Sequence, residues 1–173
     1  MIVPRETSFV FGEQLRKLGI DWQFSYFWLI EEDKDDNTFW ITWPDNQTST
    51  TSYSLAEADQ NFKDCLVAWK NQEKIHGTHV AAEYVKSWLD TFDRITTDAG
   101  GVAADIMKAG NFKDGVYYYD AMIRFGSFGI LMNRATTDEE KNIQSRFATE
   151  FERAYTRFMD LQKAEAQARE AQI

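Results

Sequence analysis

The stretch that decides the fold is Trp22-Gln23-Phe24-Ser25-Tyr26-Phe27-Trp28-Leu29-Ile30. Every second residue from Trp22 to Ile30 is large and apolar or aromatic, and Phe27 and Leu29 make the second half apolar on both faces. A period of two indicates a strand, and a strand that is apolar on both faces is typical of the middle of a sheet. The sequence therefore predicts a central strand over residues 22–30.

Four other segments have strand character. They are rich in β-branched or aromatic residues or flanked by turn residues; Pro44 ends one of them, and two of them join near Phe125-Gly126. We predict strands over residues 38–43, 47–53, 116–124 and 125–133, with 47–53 at an edge of the sheet.

The helices are predicted from their start signals and apolar stripes. The first contains Phe9 to Leu18 and ends before Gly19, and the second starts at the capping box Ser54-Leu55-Ala56-Glu57 and ends after Trp69. The third has the stripe Val80, Tyr84, Val85, Trp88, Leu89, Phe92, Ile95, which the break at residues 99–101 closes. A second capping box, Thr137-Asp138-Glu139-Glu140, starts a helix that meets neither Gly nor Pro before Ile173.

Strand groups separated by helices, with hairpin-like joins inside each group, predict the fold class. We expect an α+β fold in which a central, mostly antiparallel sheet of about five to six strands is flanked by helices and followed by a long C-terminal helix. The 173 residues, of which 43% are hydrophobic, suffice for one such domain and an appendage.

The long helix has a seam of alternating four- and three-residue steps, which is the coiled-coil pattern. The seam residues are Phe147, Phe151, Ala154, Phe158, Leu161, Glu165, Ala168 and Gln172. Residues 145–161 carry an aromatic stripe and are predicted to be core as much as connector. Beyond Leu161 the seam is too weak to hold an isolated helix pair together, which favours a linker whose pairing can shift. We expect a homodimer through the C-terminal helix as a whole.

The tail from Arg157 to Ile173, RFMDLQKAEAQAREAQI, closely resembles the connector that follows GAF-like sensory domains in bacterial sensor histidine kinases and related signalling proteins. The helix ending in Leu18-Gly19-Ile20-Asp21, the hairpin around residues 31–37 and the strands that lead into Thr137 look like the same domain type. The resemblance implies a GAF-like sensory domain over residues 1–160, the start of a connector over residues 161–173, and downstream kinase domains in a parent protein. No bilin-attaching cysteine context, cyclic-nucleotide motif, phosphoacceptor histidine or ATP-binding segment is present, so the ligand and any cofactor stay unknown.

Charge and hydropathy restrict the partners. The formal net charge of −9 repels the phosphate backbone, which argues against nucleic acid and anionic membranes as partners. No apolar run is long enough to span a bilayer and the N-terminus lacks signal-peptide features, so we predict a cytoplasmic protein without direct membrane contact. The single cysteine, Cys65, is predicted to be a buried, inert thiol.

The candidate ligand site is aromatic. Apolar concavities between a sheet and its helices bind small molecules, and buried Tyr and Trp need partners for their polar tips. The predicted ligand-binding residues are Tyr26, Trp28, Trp40, His79, Tyr84, Trp88, Tyr119 and Arg124. Most of these aromatic residues fit a packed core better than a pocket, and a role at the edge of a pocket, where Arg124 or His79 fixes an anionic ligand, stays open for the others.

No metal site and no catalytic constellation is predicted. The spacing of Asp33, Asp35 and Asn37 imitates the start of a calcium loop, but Thr38 stands where the loop needs Gly and Pro44 where it needs Glu. His76 and His79 lack a second ligand pair. We therefore predict a non-enzymatic regulatory module that binds a small molecule or relays a packing change through its C-terminal helix; the alternative is a structural dimerisation domain without a ligand. A small-molecule enzyme ranks third.

Overall fold

The computed structural model describes residues 3–30, 36–43, 45–54, 56, 58–97 and 111–171. In chain order the elements are α1 (Val3–Lys17), β1 (Phe24–Leu29), β2 (Asp36–Thr42), β3 (Thr48–Ser54), α2 (Gln60–Lys70), β4 (Ile75–Val80), a 3-10 turn (Ala82–Tyr84), α3 (Val85–Ile95), β5 (Thr96–Thr97), β6 (Val116–Ile123), β7 (Gly126–Met132) and α4 (Asp138–Ala171). The predicted α+β class is confirmed.

The strands of the described residues form one sheet in the order β4-β6-β7-β1-β2-β3-β5, in which every pairing is antiparallel. The predicted central strand is confirmed, because β1 lies in the middle of this order and all six of its residues are buried. The predicted edge position of residues 47–53 is nearly right, since only the two-residue strand β5 lies outside β3.

The sheet is covered on both faces by helices. On the face that we call the front, Phe62 of α2 packs against Phe39 and Trp88 of α3 stacks on Tyr118. On the opposite face, the rear, Phe27 contacts Phe11 of α1 and Phe151 of α4. Buried apolar side chains on both faces explain why β1 is apolar on both sides.

The first predicted capping box is wrong. Ser54 is the last residue of β3 and pairs with Asp36, and α2 begins only at Gln60. The N-cap is Asp59, whose side chain accepts a hydrogen bond from the Phe62 amide at 3.0 Å. The strand pairing of β3 therefore prevails over a local helix-start signal. Leu55, the first residue of the predicted stripe, lies outside the described residues.

The start of the third helix is also corrected. The apolar stripe predicts a helix from Val80 onward, but residues 75–80 form β4. Their alternate apolar residues are few because β4 is an outer strand, paired only with β6, so little of its surface is buried. The helix itself begins at Val85, and the break predicted at residues 99–101 lies outside the described residues.

The predicted start and continuity of the long helix are confirmed. The Thr137 hydroxyl accepts from the Glu140 amide at 3.2 Å, and the Glu140 carboxylate accepts from the Thr137 amide at 2.8 Å. This reciprocal pair satisfies two amides that a helix N-terminus leaves free. The end of α1 is confirmed as well, since Gly19 has a φ of 80° and closes it in the left-handed conformation.

Candidate functional site

The structure does not bring the eight predicted ligand-binding residues together. Tyr26, Trp28 and Trp88 lie on the front of the sheet, whereas Trp40, His79 and Tyr119 lie on its rear. The other two are on the surface. Tyr84 is 63% exposed, and the guanidinium of exposed Arg124 lies over the Phe125 ring at 5.6 Å.

A small cavity of about 20 Å³ lies on the front face. It lies between the sheet and the helices α2 and α3, where the sequence predicted a ligand pocket. Its lining is Phe24, Tyr26, Phe39, Ile41, Phe62, Trp88, Tyr118 and Leu131. A space of this size holds about one water molecule. In this structure the core between sheet and front helices is therefore filled by side chains.

A buried carboxyl group lies beside that cavity. Asp120 of β6 is 1% exposed, and its carboxylate accepts hydrogen bonds from the Tyr26 hydroxyl at 3.0 Å and the Ser127 hydroxyl at 2.6 Å. The three residues come from β6, β1 and β7, which are neighbours in the sheet. The cluster therefore joins three strands through side chains in addition to their backbone ladders.

Burial dominates the electrostatics of this cluster. Desolvation raises the pKa of Asp120, although hydrogen bonds from Ser127 and Tyr26 oppose the rise. Burial and the nearby Asp120 charge raise the pKa of Tyr26 and of the Cys65 thiol well above their usual values. Cys65 is 2% exposed, which agrees with the prediction of a buried thiol. A thiol with a raised pKa is a poor nucleophile.

Gly129 of β7 makes room for the cluster. It faces Tyr26 on one neighbouring strand and Asp120 on the other. A Cβ at this position would overlap the ring and hydroxyl oxygen of Tyr26. The absence of a side chain at Gly129 therefore lets the Tyr26 side chain cross β7 to reach Asp120.

A second concavity lies on the rear face next to the outer strand β4. It is an open groove of about 510 Å³, lined by Ile75, Gly77, Thr78, His79, Tyr117, Tyr119 and Lys141. Its volume is within the range of small-molecule sites. Two of the predicted ligand-binding residues, His79 and Tyr119, belong to this groove, and Lys141 comes from the start of α4.

The groove combines aromatic rings with one ammonium group and one imidazole. The His79 imidazole stacks on Tyr117, with 4.2 Å between ring centroids, and the Lys141 ammonium lies 5.3 Å from the Tyr119 centroid. An imidazole nitrogen of His79 lies 3.2 Å from the Asp114 carbonyl oxygen. The only anion paired with Lys141 among the described residues is fully exposed Asp138, at 3.6 Å.

Helix α4 divides into a docked part and a free part. Gln144, Ser145, Ala148 and Phe151 are buried, and Tyr155 and Phe158 are half-buried. Every residue from 159 to 171 is exposed, and we call this part the projecting segment. Of the predicted connector residues, Phe151 belongs to the intramolecular core, Ala154 is exposed and Phe158 is partly covered, whereas Leu161, Glu165 and Ala168 lie in the projecting segment.

Among the residues of these sites, sequence reasoning missed Asp120 and Lys141. Asp120 is the one charged residue within the otherwise aromatic and apolar strand β6, and this contrast is the signal that identifies it. Tyr117 alternates with Tyr119 on that strand and so shares its face. Lys141 gives no sequence signal, because its position depends on how α4 docks.

The described residues contain no group of three or more His, Cys, Asp or Glu side chains able to hold a metal ion. Asp33 and Asp35 of the imitated calcium loop lie outside the described residues. Within the described part of the chain, no helix combines the length and apolar character that crossing a bilayer requires.

Comparisons with known proteins give no match: no family model, no curated protein and no solved structure is similar to this chain. The likeness to GAF-like sensory domains therefore stays a prediction.

Proposed function

We propose that this chain is a regulatory module of a cytoplasmic signalling protein, and that α4 relays changes in the packing of its sheet to a projecting segment that pairs with a second copy. The observation that carries the proposal is the continuity of α4. One uninterrupted helix of 34 residues packs into the core between Gln144 and Phe151, and every side chain from residue 159 to residue 171 is exposed. A kinase output, as the connector resemblance implies, belongs to the same proposal.

The docked part of α4 is held by a polar contact in a buried position. The Gln144 side-chain amide donates to the carbonyl oxygens of Tyr119, at 2.6 Å, and Phe128, at 2.9 Å. These carbonyls belong to the adjacent strands β6 and β7, so the contact fixes the rotation and register of α4 on the sheet. A change in the relative position of the two strands is thereby transmitted to the helix.

Aromatic rings continue this contact along the helix. Phe27 of β1 lies 4.1 Å from Phe151 between ring centroids, Phe151 lies 5.5 Å from Tyr155, and Tyr155 lies 6.4 Å from Phe158. The series leads from the central strand to the last partly covered turn of α4. Close-packed rings rearrange together because the interior has little free volume.

The geometry amplifies small changes. From Phe151 to Ala171 the helix extends about 30 Å at 1.5 Å per residue. A tilt of about 10° at Phe151 therefore moves the far end by about 5 Å, which is enough to change one helix–helix packing arrangement into another. Such a relay needs an input that favours one arrangement over the other.

Pairing is supported by the exposed surface of the projecting segment. Leu161 is 56% exposed and Met159 is 46% exposed, and the segment consists largely of good helix formers. An isolated helix of this length is marginal in water, so pairing would stabilise it. The filled front core favours a second candidate, a structural dimerisation domain without a ligand, which uses the same helix and differs by lacking an input.

Sedimentation analysis of the whole chain tests the pairing. We expect a concentration-dependent dimer that Leu161→Glu weakens, whereas Val67→Glu, an equally exposed apolar position on α2, leaves it unchanged. A monomer at high concentration, or equal effects of the two variants, contradicts pairing through α4. Dimerisation that persists while no core variant alters the helix geometry supports the structural candidate instead.

A further inference from the structure

We propose that the rear groove beside β4 is a binding site for a small planar molecule that carries an anionic group. Its walls are β4, β6 and the start of α4. Binding in this groove does not depend on the relay through α4. Its consequence for signalling rests on the proposed function, since the ligand would act on α4 through Lys141.

The floor of the groove suits a planar ring. Tyr117 and Tyr119 alternate on β6 and are each partly exposed on its rear face, and the His79 ring lies parallel to Tyr117 within 14°. Gly77 pairs with Tyr119 across the strands, and a Cβ there would lie 2.8 Å from the Tyr119 ring. Glycine in this position lets the Tyr119 ring lie over β4, which leaves a flat aromatic surface for stacking.

The charge of the groove suits an anion. The Lys141 ammonium projects over the Tyr119 ring from the helix side, and His79 lies at the opposite end of the aromatic floor. Asp138 competes for Lys141, but their pair is 3.6 Å apart and Asp138 is fully exposed, so a bound anion replaces it at little cost. Glu140, the residue before Lys141, is already paired with Arg134 at 2.6 Å.

The site differs from the pocket expected between the sheet and the front helices. That space measures about 20 Å³ and has an almost wholly apolar lining, so it offers neither room nor a cation for a charged ligand. The rear groove measures about 510 Å³ and supplies both. An input at this groove acts on α4 three residues before Gln144, whose amide fixes the helix to β6 and β7.

A nuclear magnetic resonance titration of the full chain tests the site with 2-naphthoate as the probe and its neutral amide, 2-naphthamide, as the control. We expect 2-naphthoate to shift the ring resonances of His79, Tyr117 and Tyr119 with a Kd on the order of 1 mM, which is appropriate for a ligand of this size in an open groove. The neutral amide should bind several-fold more weakly.

Two lysine variants measure the contribution of the Lys141 ammonium group to binding. Lys141→Ala should weaken 2-naphthoate binding roughly three- to tenfold, while Lys70→Ala, an exposed lysine at the end of α2, should not change it. Absence of shifts at these rings, equal binding of the amide, or equal effects of the two lysine variants each overturns the proposal. Binding that leaves the distance between projecting segments unchanged would argue against the relay and would leave the site intact.

Discussion

Replacing Gly129 with alanine should destabilise the fold strongly for its size, because the new methyl group displaces Tyr26. The Tyr26 ring cannot move aside easily, since Phe24 and Phe39 lie 5.9 Å and 5.6 Å from it between ring centroids. Overpacking of this kind costs about 1–3 kcal/mol. Loss of the hydrogen bond from Tyr26 to the buried Asp120 carboxyl group costs about 1.5–3 kcal/mol more. We therefore expect Gly129→Ala to lower the free energy of unfolding by about 2.5–6 kcal/mol.

Urea unfolding followed by tryptophan fluorescence measures this change, and two further variants separate its causes. In a Tyr26→Phe background the hydrogen bond is already absent, so Gly129→Ala should cost only about 1–3 kcal/mol. Gly19→Ala is the matched control, because nothing lies within 4 Å of the added methyl group and only the φ of 80° is strained, at a cost of about 1–2 kcal/mol. A Gly129→Ala cost within about 0.5 kcal/mol of zero would refute the reasoning.

Three further predictions concern buried or paired polar groups. Burial raises the Asp120 pKa above its ordinary 3.8, so the folded protein holds the carboxyl proton of Asp120 more tightly than the unfolded chain does. The protonated carboxyl group therefore contributes stability that is complete below about pH 3.8 and is lost as pH rises through the folded pKa. Asp120→Asn should remove this loss of stability with rising pH, as measured by the midpoints of urea unfolding from about pH 4 to about pH 7. The Glu140 pKa is lowered from 4.5 to about 2, chiefly by the hydrogen bond from Arg134, so its contribution is present above about pH 4.5 and is lost as pH falls through about 2. Glu140→Gln should cost about 1 kcal/mol at neutral pH and progressively less in acid, and a cost independent of pH would contradict the pairing. Gln144→Leu should cost about 1–3 kcal/mol by thermal or urea unfolding, because it removes the two hydrogen bonds that the Gln144 amide donates; an unchanged stability would show that they do not hold α4.

The sequence predicted the elements whose signals are local and strong. The alternation around Tyr26 identified the central strand, and the capping box at Thr137 identified the start of the long helix. The strand β4 was missed. A short outer strand buries few side chains, so the run His76-Gly77-Thr78-His79 lacks the apolar alternation that identifies a strand. The prediction of a helix start at Ser54 was wrong for a related reason. Pairing of Ser54 with another strand is a tertiary interaction that capping patterns do not encode.

The candidate sites were predictable only in part. Aromatic content indicated the right residue types, but the choice between front and rear of the sheet requires the register, which places Tyr26 and Tyr119 on opposite faces. Lys141 joins the groove through helix docking, a contact between elements distant in sequence. For the long helix, the aromatic stripe correctly indicated which part packs on the sheet, because Phe151 packs on Phe27 whereas Leu161 is exposed.

The relay through α4 is tested most directly by the distance between spin labels on two copies of the projecting segment. The label is attached at Ala168→Cys, and Cys65 stays unlabelled because it is buried. We compare Phe151→Leu, which alters the ring contacts under α4, with Phe62→Leu, which removes a similar volume from the front core away from α4. The account predicts a defined interchain distance in the parent chain that Phe151→Leu shifts or broadens and Phe62→Leu leaves unchanged. No interchain distance, or the same distribution in all three proteins, would contradict it.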